Sequence, residues 1–172
     1  MQNRSRELVH YVVLGFLCLV LYLIQYTDDV LPKIGRASAV ILVPTVVFAA
    51  MFLREWEGAI TGLLVGVLMD IATSGATCFN AVVLMLIGCG AGLLVTYIVN
   101  NNLLAALIMS FGFTAVYFLL KWVFACVFGV IDAPFLYLVK QIIPSVFYTF
   151  VLTIPLYLII RRIMKRLYKL KS

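Results

Sequence analysis

Long apolar runs separated by short polar links dominate this chain of 172 residues. A bilayer core of about 30 Å requires roughly 20 helical residues, and six runs meet or approach that length. We predict spans at residues 8–26, 37–53, 58–73, 78–99, 103–130 and 141–160. Because the links are short, sequential helices should pack as antiparallel neighbours in one domain covering residues 1–172.

The composition excludes an ordinary soluble domain. Hydrophobic residues make up 65% of the chain and charged residues only 12%, whereas a soluble domain has about a quarter of its residues charged. The pattern therefore predicts an all-α integral membrane protein, a compact bundle of six transmembrane helices. The first run reaches Tyr26, which is too long for the apolar part of a signal peptide, so we interpret it as a transmembrane helix.

Basic residues indicate the orientation of the chain. If the N-terminus is cytoplasmic, nine Lys and Arg residues lie on the cytoplasmic side and three on the other side. The nine are Arg4, Arg6, Arg54, Arg161, Arg162, Lys165, Arg166, Lys169 and Lys171, and the three are Lys33, Arg36 and Lys140. We therefore expect both termini in the cytoplasm.

Residues 161–172, RRIMKRLYKLKS, form a basic cytoplasmic tail in which Ile163, Leu167 and Leu170 are spaced by four and three. This spacing predicts that the last helix continues into the tail and lies along the inner leaflet, where its bases attract anionic lipid headgroups. The simpler interpretation is a positive-inside signal that only fixes orientation. Nucleic-acid binding is not expected, because no other part of the chain forms a basic surface.

Gly58, Gly62 and Gly66 recur at every fourth position of the third run. Such a row drifts by only about 40° per step around a helix, so the three glycines share one face. In lipid, small residues let helix backbones approach closely. The fourth run carries a matching set, Gly88, Gly90 and Gly92. We expect these glycines to pack helices three and four together, and a homodimer face is the alternative.

Asp70 follows Gly66 by four residues and lies near the end of the third helix. A carboxylate at that position opposes the helix macrodipole and costs a few kcal/mol in hydrocarbon. Lys121 is the only basic residue well inside an apolar run, toward the same side of the membrane, and is the candidate ion-pair partner. Alternatively, each of the two residues reaches interfacial water alone.

No set of residues typical of catalysis or metal binding occurs in the sequence. The four cysteines form no CxxC pair, and His10 is the only histidine. Glu55 and Glu57 fall in one short link, and Asp28 and Asp29 in another. We therefore predict that the protein is not an enzyme and binds neither a metal nor a cofactor.

The stretch GLLVGVLMDIATSGATCFNAVVLMLIGCGAGLL resembles the signature region of the rod shape-determining protein MreD family. That family typically has a Gly-rich third helix, an Asp four residues after its last Gly, a Ser/Gly turn, and Gly-x-Asn opening the next helix. The matching residues are Gly66, Asp70, Ser74, Gly75 and Asn80. Cys78 stands where the family commonly has glycine.

The resemblance implies a non-catalytic scaffold or regulator of the bacterial elongation (Rod) complex in the inner membrane, supporting peptidoglycan synthesis and rod shape. It implies binding to the bitopic membrane protein MreC, and through it links to MreB, RodA and a class B penicillin-binding transpeptidase. The family is also similar in fold to S-components of energy-coupling-factor transporters. The alternative is therefore a vitamin-binding transporter subunit whose cavity is lined by Asp70, Asn80 and Lys121.

Overall fold

A computed structural model describes residues 2–27, 40–52, 55–73, 78–97, 103–127 and 137–169, with side chains left out for 2–12, 55 and 163–169. Every regular element in these ranges is helical. The elements are α1 (Gln2–Tyr26), α2 (Leu42–Phe52), α3 (Glu55–Ala72), α4 (Phe79–Tyr97), α5 (Leu103–Val127), a π-helical turn (Leu138–Ile142) and α6 (Ile143–Lys169).

The prediction of an all-α protein is confirmed. Three helical stretches are long and apolar enough to cross a bilayer: Phe79–Tyr97, Leu103–Val127 and Leu138–Arg162. α3 has 18 residues but includes three carboxylates, and α2 has only 11. α1 runs from Gln2 to Tyr26, and the part of it whose side chains are described contributes the apolar stretch Val13–Tyr26. By length and composition, three helices of the described chain can thus cross a bilayer, and the crossing by all six helices stays a prediction.

α2 is the central helix of the bundle. Ten of its 11 residues are buried, from Leu42 to Met51, and it contacts all five other α-helices. Its segment LVPTVVFAAMF has no charged residue and is apolar on every face, which is typical of a helix enclosed by other helices. The predicted start of this helix, residue 37, lies outside the described residues.

Side chains from α1 and α6 complete the hydrogen bonding at the buried start of α2. The Leu42 N–H donates to Gln25 Oε1 (3.1 Å), and the Val40 N–H donates to Thr149 Oγ1 (3.2 Å). These are N–H groups that a helix cannot satisfy within itself. Pro44 lies in the first turn of α2, where its missing N–H costs no hydrogen bond.

The π-helical turn immediately precedes a proline. The Ile143 N–H donates to the carbonyl of Leu138, five residues earlier. The next residue, Pro144, has no N–H, and its ring would crowd the carbonyl four residues earlier in a regular α-helix. The wider π turn accommodates the ring at this position. Pro155 lies inside α6, which continues through it.

The α3–α4 pair forms the most extensive helix contact in the described chain. Three contacts define its register: Gly58 with Gly88, Gly62 with Leu84, and Gly66 with Ala81. Residue numbers rise along one helix as they fall along the other, so the pair is antiparallel, as the short link between them predicts.

The glycines bring the two backbones into direct contact. A Cβ at Gly66 would lie 2.5 Å from the Asn80 carbonyl oxygen and 2.7 Å from the Ala81 nitrogen, and one at Gly62 would lie 2.7 Å from the Leu84 carbonyl carbon. These distances are too short for real Cβ atoms, and backbone atoms cannot rotate away as a side chain would. Any larger residue at Gly62 or Gly66 therefore requires the helices to separate.

We expect Gly62→Ala to destabilise the bundle by about 1–3 kcal/mol, because the added methyl group overlaps the Leu84 carbonyl and forces α4 away. The measurement is the free energy of reversible unfolding of the purified protein in detergent micelles.

The matched control is Gly112→Ala in α5, where an added Cβ meets no atom within 4 Å. Alanine is the better helix former, so this variant should be neutral or up to about 1 kcal/mol more stable. Equal stability of the two variants would show that the α3–α4 contact tolerates side chains.

Candidate functional site

A polar cluster of three side chains, Asp70, Asn80 and Tyr117, lies where α3, α4 and α5 meet. Asp70 belongs to the last turn of α3, Asn80 to the first turn of α4, and Tyr117 to the second half of α5. All three are buried, with exposed fractions of 8%, 7% and 0%. The cluster includes two of the motif residues that the sequence singled out and adds one that it did not.

Asp70 caps the start of α4. Its Oδ1 accepts hydrogen bonds from the backbone N–H of Asn80 (3.1 Å) and from the Asn80 side-chain amide (2.9 Å). Its Oδ2 accepts the backbone N–H of Ala81 (2.9 Å). Three donors therefore surround one carboxylate, which accounts for a buried acid in the apolar part of α3.

The cap is supplied across helices because the local residue cannot supply it. The Cys78 carbonyl accepts the first helical N–H of α4, from Val82 (3.2 Å), so Cys78 occupies the N-cap position. Its thiol is a weak acceptor, whereas preferred N-cap residues carry an oxygen. Asp70, eight residues before Cys78, provides that oxygen instead.

The electrostatics of this junction resolve the problem posed by Asp70. At the end of α3 its negative charge meets the negative end of that helix dipole, but it also lies at the positive start of α4. Charged hydrogen bonds to backbone N–H groups are about twice as strong as neutral ones. The start of α4 therefore offsets the cost of holding a carboxylate in this place.

Asn80 links the acid to α5. Its amide nitrogen donates to Asp70, which leaves its carbonyl oxygen to accept the Tyr117 hydroxyl (2.8 Å). The network itself fixes the orientation of the amide, since the reverse orientation would place two acceptors together. One chain of hydrogen bonds thus connects three helices.

The ion pair between Asp70 and Lys121 that we inferred from the sequence is not formed. Lys121 lies one turn beyond Tyr117, with its side chain exposed on the surface of α5, whereas the Asp70 oxygens are occupied by Asn80 and Ala81. Lys121 lies four residues from Tyr117 along α5, but its side chain is exposed where that of Tyr117 is buried.

The remaining motif and packing residues fall in different places. Ser74 and Gly75 lie outside the described residues. Gly88 lies against Gly58, whereas a Cβ at Gly90 would lie 3.5 Å from the Phe113 ring, and Gly92 is buried in α4. The glycines of α4 therefore contact more than one neighbour.

The start of the basic tail is also described. The Arg161 guanidinium lies over the Tyr157 ring, 5.8 Å from its centroid, and Arg162 is exposed. The backbone of α6 continues as a helix to Lys169 and includes Lys165 and Arg166. Lys171 lies outside the described residues.

This geometry stabilises a helix junction. All three donors on Asp70 come from the protein itself, and Asn80 is bonded on both sides. Within the described ranges, no three His, Cys, Asp or Glu side chains lie together as a metal site, and Cys18, Cys78, Cys89 and Cys126 are free thiols. The Asn80 side chain donates directly to the Asp70 carboxylate.

Replacing Asp70 by alanine should destabilise the protein by about 2–4 kcal/mol, because it removes the α4 cap and leaves buried N–H groups without an acceptor.

Tyr117→Phe should lower the free energy of unfolding by about 1–2 kcal/mol, because it removes one hydrogen bond to Asn80. Unfolding free energies of the single and double variants would show whether the two residues are coupled.

Lys121→Gln is the matched control, since this exposed residue should change stability by less than about 0.5 kcal/mol. A loss at Lys121 as large as the loss at Asp70 would contradict the capping role and restore the ion-pair hypothesis.

A sequence model of the family described as rod shape-determining protein MreD matches residues 5–167 of the chain. The match covers the polar cluster, the glycine contact and nearly all of the six helices. No curated protein and no solved structure shows a significant match.

Proposed function

Since this chain belongs to the rod shape-determining protein MreD family, we propose that it is a non-catalytic scaffold of the bacterial cell-elongation complex. In this role it binds an MreC-type bitopic membrane protein and supports peptidoglycan synthesis. Through that partner it is linked indirectly to MreB, RodA and a class B penicillin-binding transpeptidase. The family match over residues 5–167 is the observation that carries the proposal.

The architecture supports a scaffold because the side chains of the polar cluster bond to one another and stabilise the fold. Asp70 caps α4, Asn80 joins it to α5, and the glycines of α3 bring the backbones together. A surface of fixed shape is what a partner helix needs, since helices in lipid associate through close packing and hydrogen bonds. We place this scaffold in the inner membrane with both termini in the cytoplasm, following the distribution of basic residues.

A groove between α1 and α3 is the surface that we assign to the partner's single transmembrane helix. Its volume is about 480 Å³, and it runs along one side of α3. The groove is lined by Leu14, Gly15, Cys18, Trp56, Glu57, Ile60, Thr61, Leu64, Val65, Val67 and Leu68. Apolar residues dominate this lining, and Gly15 and Thr61 add small positions that admit a helix backbone.

Two residues at one end of the groove favour the binding of the partner's transmembrane helix there. Trp56 is 67% exposed there, and Glu57 adds the only carboxylate among the lining residues. In the proposed orientation this end is cytoplasmic, where single-span proteins carry flanking Lys and Arg. An acidic residue at that end complements such a flank.

The transporter alternative receives no support from a specific contact. Of the three residues that would line its cavity, two bond to each other and Lys121 is exposed on α5. We therefore keep the scaffold as the single proposed function.

Depletion of the protein in its native host should convert rod-shaped cells to round ones, and expression of the wild-type chain should restore the rods. Cell shape and nutrient uptake are measured in parallel during depletion. Loss of uptake of one small molecule with shape retained would overturn the scaffold in favour of the transporter subunit.

Leu64→Trp, which fills the groove, should reduce co-purification of the bitopic partner at least about fivefold without changing the melting temperature. The fivefold loss corresponds to roughly 1 kcal/mol of lost packing. Leu86→Trp in α4 is the control, because Leu86 is 64% exposed and lies outside the groove. Equal partner recovery with both variants would exclude the groove as the binding surface.

A further inference from the structure

We propose that the C-terminal part of α6 is a binding surface for anionic phospholipid headgroups, formed by a row of bases that we call the basic face. The basic face consists of Arg161, Arg162, Lys165, Arg166 and Lys169. It is independent of the groove and of the scaffold role, so each can fail without the other.

The helix is longer than the membrane requires. The uncharged run of the sequence ends at Ile160, yet the α6 backbone continues as a helix to Lys169. From Leu138 to Lys169 the helical chain extends about 48 Å at about 1.5 Å per residue, against a hydrocarbon core of about 30 Å. The last two turns therefore lie at the level of the headgroups.

The continuous helix places all five bases on one side. At about 100° per residue, their positions fall within an arc of about 140°. The positions of Ile163, Met164, Leu167 and Tyr168 fall in the opposite arc. A basic arc and an apolar arc in one helical segment are typical of helices that lie at a membrane interface.

No acidic residue counters these charges within the helix. The sequence contains no Asp or Glu after Asp132, so the basic face has no carboxylate from its own helix. Arg161 lies over the Tyr157 ring at the boundary of the apolar stretch, and Arg162 is exposed. A positive-inside signal requires only that basic residues are present, wherever they lie around the helix. The location of all five bases on one face favours a surface that binds anions.

The test titrates phosphatidylglycerol or phosphatidylcholine into the full-length protein in neutral detergent, with bound lipid counted by native mass spectrometry. The wild-type protein should bind phosphatidylglycerol in preference to phosphatidylcholine, and added salt should weaken only the former. Each base near an anionic surface contributes about fivefold in affinity, so K165Q/R166Q/K169Q should bind phosphatidylglycerol about a hundredfold more weakly.

Two matched variants separate the basic face from net charge. K33Q/R36Q/K140Q removes the same charge elsewhere and should retain wild-type binding. The exchange K165L/L167K keeps the composition but moves one base to the apolar arc, and it should weaken binding about fivefold. The proposal is overturned if K165Q/R166Q/K169Q binds as the wild type does, if both triple variants lose affinity equally, or if the exchange has no effect.

Discussion

The constraint on which this structure depends is that hydrocarbon offers no hydrogen-bond partner, so the protein has to satisfy its own polar groups. Threonine hydroxyls show this most simply, because seven of them donate to the carbonyl four residues earlier. They are Thr27, Thr45, Thr61, Thr73, Thr96, Thr149 and Thr153. Helix starts cannot be satisfied in this way, and there the protein uses side chains from other helices. Asp70 completes the start of α4, and Gln25 and Thr149 complete the start of α2.

This constraint explains why a buried acid and a row of glycines occur in the same helix. The glycines set the distance between α3 and α4, and Gly66 lies directly against Asn80 and Ala81. Those are the residues whose N–H groups Asp70 accepts. The carboxylate can reach them only because the backbones approach so closely one turn earlier. Close packing and capping are therefore two parts of one junction, which Gly66, Asp70 and Asn80 form together.

The sequence predicted the features that depend on spacing within one helix. The common face of Gly58, Gly62 and Gly66 follows from a step of four residues, and the position of Asp70 near a helix end follows from the same count. It did not predict Tyr117, because the choice of that hydroxyl depends on how α5 is rotated about its axis. Lys121 shows the same limit, since it shares the region of Tyr117 along α5 but is exposed where Tyr117 is buried. A tyrosine within a long apolar run, whose hydroxyl needs an acceptor, was the signal that could have identified it.

The two capped helix starts differ greatly in when they can be completed during synthesis. Asp70 reaches α4 across ten residues, so the α3–α4 hairpin can close as soon as it leaves the ribosome and enters the membrane. The N–H of Val40 can form its hydrogen bond only after Thr149, 109 residues later in the chain, has been synthesised. The central helix of the bundle is therefore unfinished until the last helix has inserted, and a chain that stops early exposes an open helix start to cellular quality control.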